Sequence, residues 1–210
     1  GPAFAQPEVE SNSLDATGCM KLGECTDNVT KIISFAQLRE IYGPDWNVPV
    51  DVEQELTALI DRLNAVGIDV NLADQRYFNT QVRGLYFTDV NKVFLNDFFV
   101  ADPTTMLAVL RHEGWHAAQD CMAGTLDNSL IAIIYDDMLI PQKYKVLADL
   151  RYGLMQPGAV PWEQEAIWAG SEGFMTADAL EACSSGAMWE TYEPTPMTKE
   201  WLIKNAYMSL

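Results

Sequence analysis

The chain has 210 residues, with 13 Lys and Arg against 30 Asp and Glu, a formal charge of -17, and 49% hydrophobic residues. That length and composition describe one globular domain whose core is large enough to fold without a structural metal or disulfides. The acidic excess excludes nucleic acid and anionic membrane surfaces as partners, since phosphate contacts rest on Lys and Arg. The longest apolar run near the middle, Leu130 to Tyr135, stops at Asp136-Asp137 and is far too short to span a bilayer.

Residues 1–30 are rich in Ser, Asp, Thr, Asn, Gly and Pro without periodicity, and read as a loop-like N-terminal arm. Ala3-Phe4-Ala5 has the small-x-small form that precedes signal-peptidase cleavage, which points to export. Four cysteines fit that direction, arranged as a close pair (Cys19, Cys25) and a distant pair (Cys121, Cys183). Residues 31–210 read as a single domain.

Ser34 before Phe35 to Tyr42 predicts a short capped helix stopped by Gly43-Pro44. Apolar residues spaced three and four apart predict an amphipathic helix over Val52 to Val66, ended by Gly67. Ile68 to Leu72, Arg83 to Val90 and Lys92 to Asn96 read as strands, the last two as an antiparallel hairpin turning at Asp89-Val90-Asn91. After Asp102-Pro103, Thr104 can cap a helix running to about Cys121, with Gly124 beyond it. Further helices are expected over Leu126 to Tyr135, Gln142 to Leu154, Pro161 to Ala182 and Lys199 to Tyr207. The fold class is therefore α+β: a small mixed or antiparallel sheet followed by a mainly helical half.

His112-Glu113-Gly114-Trp115-His116 is an H-E-x-x-H motif on the helix after the hairpin, and it holds both histidines of the chain. Residues four apart share a helix face, so both imidazoles can reach one metal ion with Glu113 beside a water on that metal. Two histidines placed at random fall four apart in about 1% of cases, and Glu follows the first in about 7% of those, so chance supplies the motif roughly once per thousand such chains.

The motif after a mixed sheet, with a Glu-rich helix some way downstream, resembles the zincin metallopeptidases and most of all their gluzincin branch. The metzincin extension is missing, since Ala118 and Met122 stand where that branch has Gly and a third ligand. The resemblance implies a zinc peptidase acting on a protein or peptide substrate. In it His112 and His116 bind zinc, a downstream Glu is the third ligand, and Glu113 is the general base that accepts a proton from water and passes it to the leaving amine. The segment Pro161 to Ala169 offers two candidates. Glu165 is the first choice because it shares a side with Ala166 and Ala169, with Glu163 in reserve and the other of the two serving the positive end of the helix dipole. Asp127 comes third, because Gly124-Thr125-Leu126-Asp127 resembles the start of the aspzincin ligand element. Asp120 extends the four-residue ladder of histidines and reads as an acceptor behind them or a solvated helix end.

A Cys121–Cys183 bond would staple the two ligand-bearing helices, while Cys19 either pairs with Cys25 or caps the zinc as an inhibitory thiolate. Tyr135, Tyr144, Tyr152 and Arg151 are candidates for steadying the oxyanion. In zincins an edge strand pairs with extended substrate, here Lys92 to Asn96 or its hairpin partner. Trp115, Trp162 and Trp168 either wall a substrate pocket or pack in the core. Two other functions fit the motif: a non-catalytic zinc-binding domain, against which Glu113 counts, and a zinc hydrolase of a non-peptide amide such as a cell-wall linkage.

Overall fold

The computed structural model describes residues 18–124, 126–127, 130–193, 195, 198 and 203. The Ala3-Phe4-Ala5 signal and all but Ile203 of the helix expected over Lys199 to Tyr207 lie outside the described residues.

The described chain is α+β. In order it forms β1 (Val29–Ile32), α1 (Phe35–Tyr42), α2 (Val50–Ala65), β2 (Asp69–Ala73), β3 (Gly84–Phe87), β4 (Lys92–Asn96), α3 (Asp97–Val100), α4 (Pro103–Met122), α5 (Gln142–Tyr152), α6 (Val160–Ser171), α7 (Met175–Ser184) and α8 (Met188–Thr191). The sheet order is β1-β2-β4-β3, with β2 parallel to β4 and the two outer pairings antiparallel. The expected hairpin is present: Leu85 lies opposite Phe94 and Tyr86 opposite Val93, and Asn91 turns the chain with φ 54°. β1 and α3 are additions, four residues each and too short for a periodic signal.

Side chains alternate across the sheet, so one strand feeds two clusters. Val70 and Leu72 of β2, Tyr86 of β3, and Val93 and Leu95 of β4 face the main core. There they meet Leu56, Leu59, Ile60 and Leu63 of α2, Met106, Leu107 and Leu110 of α4, and Leu180 of α7. Leu85, Phe87 and Phe94 face the other way and are covered by Met20, Tyr77 and Phe78. Placing β4 centrally and β3 at the edge leaves Gly84–Phe87 as the free strand beside α4.

Three expected helices differ. Asp102, not Thr104, caps α4: its Oδ2 accepts from the Thr105 amide at 3.0 Å, and Pro103 takes the first turn, where no N–H is needed. Pro161 to Ala182 is two helices rather than one, broken at residues 172–174, where Phe174 adopts φ 63° and its amide donates to Glu55 Oε2 at 3.0 Å. Residues 130–135 are an irregular strap, not the end of a helix. Ile131, Ile133 and Ile134 are β-branched and stiff, and the strap amides have better acceptors nearby: Ala132 donates to Gln119 O, and Ile134 and Tyr135 donate to the Glu165 carboxylate.

Cys19 with Cys25 and Cys121 with Cys183 stand at disulfide distance, with Cα separations of 5.2 and 6.1 Å. No helix among the described residues is long and apolar enough to cross a membrane. Both facts are compatible with an oxidising, extracellular setting. The Cys121–Cys183 pair joins the ends of α4 and α7 rather than of α4 and the Glu165 helix. It closes 62 residues of chain, so in the chain-entropy account replacing both by Ser costs on the order of 4 kcal/mol. Urea unfolding of the wild type beside the double variant Cys121→Ser, Cys183→Ser measures this; equal midpoints would show that the pair adds no stability.

Candidate metal centre

α4 is the spine of the site. Its residues pack on the sheet, on α2, on α6 and on α7, so almost the whole 112–120 stretch is buried, including His116, Gln119 and Asp120. Arg111 fixes its rotation. The guanidinium grips Glu55 of α2 with Nε to Oε2 at 2.6 Å and Nη2 to Oε1 at 2.5 Å, and Thr176 Oγ1 of α7 donates to the Arg111 carbonyl at 2.7 Å.

His112 and His116 leave α4 on one face, and their rings sit 5.2 Å apart. Both Nε2 atoms point at one oxygen of Glu163: His112 at 3.1 Å and His116 at 3.0 Å from Oε1. The three donor atoms form a group able to hold a metal ion, all lying within 4.8 Å of one another. Glu163 is fully buried, and its Oε2 has no hydrogen-bond partner among the described residues.

Glu165, the expected third ligand, does not join this group. Residues two apart on a helix point about 200° apart. Glu165 therefore turns away from the histidines when Glu163 faces them, and accepts from Trp115 Nε1 at 3.0 Å, Gln119 Nε2 at 2.9 Å, Ile134 N at 3.0 Å and Tyr135 N at 3.0 Å. The reserve candidate Glu163 meets both histidines instead. Asp127 is exposed and outside the group. Cys19 is paired with Cys25 and also stays outside it.

The phase of α6 explains the outcome. Gly170, seven residues after Glu163 and so two turns along the same face, lies against α4: a Cβ there would be 3.7 Å from His112 Cβ and 3.4 Å from the Ala108 carbonyl oxygen. This close approach brings Glu163 onto the histidines.

Hydrogen bonds settle which His116 nitrogen faces Glu163 bare. The Gln119 amide nitrogen donates to the Trp162 carbonyl at 3.1 Å and to Glu165, so its oxygen is left to accept from His116 Nδ1 at 2.7 Å. Nδ1 thus carries the hydrogen, and a neutral ring presents the Nε2 lone pair to a carboxylate oxygen. Two electron pairs at 3.0 Å repel unless a cation lies between them. The residues fit a metal on this ground: bonds of about 2.0–2.1 Å in a tetrahedron space donors about 3.3 Å apart, a few tenths of an ångström from the two His–Glu separations here. Without a metal, a proton must serve. Burial opposes charge on all three groups, yet the opposing charges hold Glu163 down at about 2 and His116 above the usual histidine value, while burial prevails at His112 and lowers it.

Glu113 is buried beside His112 and lines the same cleft, a volume of about 630 Å³ between the β3 edge, α4, α5 and α6. β3 comes unusually near: a Cβ at Gly84 would stand 2.6 Å from Val109 Cγ1 and 3.1 Å from Glu113 Cγ, so only glycine fits. Arg151 and Tyr152 also line the cleft. Tyr144 is instead buried against α6, and the half-buried Tyr135 stacks on Trp115 away from the cleft lining. Trp115 is fully buried and belongs to the core, not to a substrate wall. Gln119 and Gly84 were missed in the sequence. Gln119 was accessible to the rule that helix residues three apart are neighbours.

Asp120 neither touches the donor group nor reaches solvent. It is buried, accepts from Tyr86 Oη at 2.6 Å, and burial pushes its carboxyl up to about 8 despite that bond.

No family model, curated protein or solved structure matches the chain.

The Asp120 environment predicts a pH dependence. A carboxyl whose folded pKa lies above its unfolded value contributes fully below pH of about 4 and loses that contribution as pH rises through about 8. Between pH 5 and pH 9 the wild type should lose on the order of a few kcal/mol relative to Asp120→Asn, measured by urea unfolding. Parallel stability curves would show that Asp120 does not titrate in the folded state.

Proposed function

We propose that the chain is a zinc-dependent metallopeptidase of zincin type, with His112, His116 and Glu163 as protein ligands and Glu113 as general base. The observation that carries the reading is the donor set itself: two imidazole nitrogens converging on one oxygen of a buried carboxylate, next to a further carboxylate that lines an open cleft. Three N/O protein donors, one of which, His112, lines an open cleft, suit a catalytic zinc better than a closed structural site. Zinc held there supplies a Lewis acid that polarises a carbonyl and makes water acidic near neutral pH.

The chain's own groups supply the rest. Glu113 accepts the proton of the attacking water and returns it to the leaving amine. Gln119 holds His116 by Nδ1, so that Nε2 is free to coordinate. Arg83 O accepts from Asn96 N at 2.9 Å, and ladder bonds alternate along an antiparallel pair, so the Gly84 amide and carbonyl point outward from β3 into the cleft. An extended peptide can add there as a further strand, which favours β3 over β4 as the substrate edge. Tyr152 and Arg151 are the two oxyanion candidates that line the cleft. The cysteine pairs support work in an exported, oxidising setting.

Zinc titration against a chromophoric chelator tests the ligand set, and peptide cleavage tests the base. Glu163→Ala should weaken zinc binding by at least about 100-fold, whereas Glu165→Gln, which keeps most of its contacts, should stay within about 10-fold of wild type. Glu113→Gln should bind zinc normally and lose about 100- to 10,000-fold in kcat. Undiminished zinc binding by Glu163→Ala would exclude Glu163 as a ligand. Zinc binding without cleavage of any peptide by wild type would favour the non-catalytic reading, or the non-peptide amide if peptidoglycan fragments are cut instead.

A further inference from the structure

The six arginines of the chain divide into two groups. Arg39 pairs with Glu53, Arg62 with Asp178 and Glu181, Arg76 with Asp27, and Arg111 with Glu55. In a chain with 30 carboxylates such pairing is the expected state. Arg83 and Arg151 are the exceptions. Neither is ion-paired among the described residues; Arg83 lies over the Phe99 ring at 5.2 Å, and both are exposed. Both line the cleft that holds His112 and Glu113. Arg83 enters from the β3 side, directly before Gly84, and Arg151 from the last turn of α5. Among the cleft residues Glu113 is the one carboxylate. The cleft is therefore locally cationic on a protein of charge -17.

An unpaired guanidinium is a planar fork of donors suited to two carboxylate oxygens, and it keeps its charge at any working pH. The negative surface repels acidic ligands at a distance, but at physiological ionic strength that field is screened beyond about 8 Å. What remains inside the cleft is the contact between arginine and ligand. Resting on the peptidase reading above, we propose that Arg83 and Arg151 select substrates by a carboxylate close to the scissile bond, so that the enzyme cuts beside acidic residues or near a free C-terminus. A peptide on the β3 edge places successive side chains alternately, which allows one arginine to meet a side chain while the backbone pairs at Gly84.

The test uses zinc-loaded full-length protein and internally quenched peptides of one sequence, capped at both ends, with Glu or Gln at each position within three residues of the cut. A neutral peptide with a free C-terminal carboxylate is the second arm. Glu should raise kcat/KM about tenfold over Gln at one position or more, and that ratio should fall below about twofold in Arg83→Gln or Arg151→Gln. If the gain appears with the free C-terminus instead, and falls in the same variants, the carboxylate recognised is the chain end. A Glu-to-Gln ratio near one at every position with no gain from the free C-terminus, or an Arg83→Gln variant that slows the acidic and neutral peptides alike, would overturn the assignment while leaving the peptidase reading intact. Failure to cut any peptide with zinc bound would overturn both.

Discussion

Glu163 Oε1, on a fully buried side chain, stands about 3 Å from two imidazole nitrogens. In a neutral His116 ring this nitrogen is a lone pair, because the single ring hydrogen sits on Nδ1 and is donated to Gln119 Oε1. A bare imidazole nitrogen and a carboxylate oxygen are not held 3 Å apart in a medium of low dielectric without a proton or a metal ion between them. The fold must provide a cation at this point, whether a proton or a metal. Much of the packing around α4 and α6 serves to hold the three atoms in place.

The supporting contacts are buried and mutually dependent. Glu165 gathers Trp115, Gln119 and the strap amides of Ile134 and Tyr135, so one carboxylate ties α4, α6 and the strap together. Gln119 passes that order on to His116. On the other side of α4, Glu55 holds Arg111 and also accepts from the Phe174 amide at the break between α6 and α7. Residues 112 and 116 thus sit on a helix fixed from both flanks, which is what a site of defined geometry needs. The open side is the cleft, where Gly84 admits the edge strand close to Glu113.

The sequence carried the local part of this arrangement. Ser34 with Gly43, the spacing from Val52 to Leu63, and the hairpin residues predicted their elements because each signal lies within a few neighbouring residues. The pair His112 and His116 was legible for the same reason, since the helix period alone puts both on one face. Which downstream Glu meets the histidines was not. Ala166 and Ala169 suggested a packing side that favoured Glu165, yet Gly170 marks the line of nearest approach, and its face runs back through Ala166 to Glu163. A stripe of small residues gives a helix's contact side only when the partner helix is known. The strap over 130–135 failed in another way: its apolar run matches a helix in composition, and only the buried Glu165 carboxylate, distant in sequence, makes extended backbone the better state. That Arg83 and Arg151 carry no ion pair among the described residues was likewise invisible, because it depends on which carboxylates the other four arginines have found.

Diffraction from crystals grown with zinc, with data collected on both sides of the zinc absorption edge, tests the central claim most directly. An anomalous peak is expected about 2.0–2.2 Å from His112 Nε2, His116 Nε2 and a Glu163 oxygen, with Glu165 still bonded to Gln119 and the strap. A peak bound by Glu165, or an occupied zinc site elsewhere with the histidine–Glu163 cluster unchanged, would contradict it.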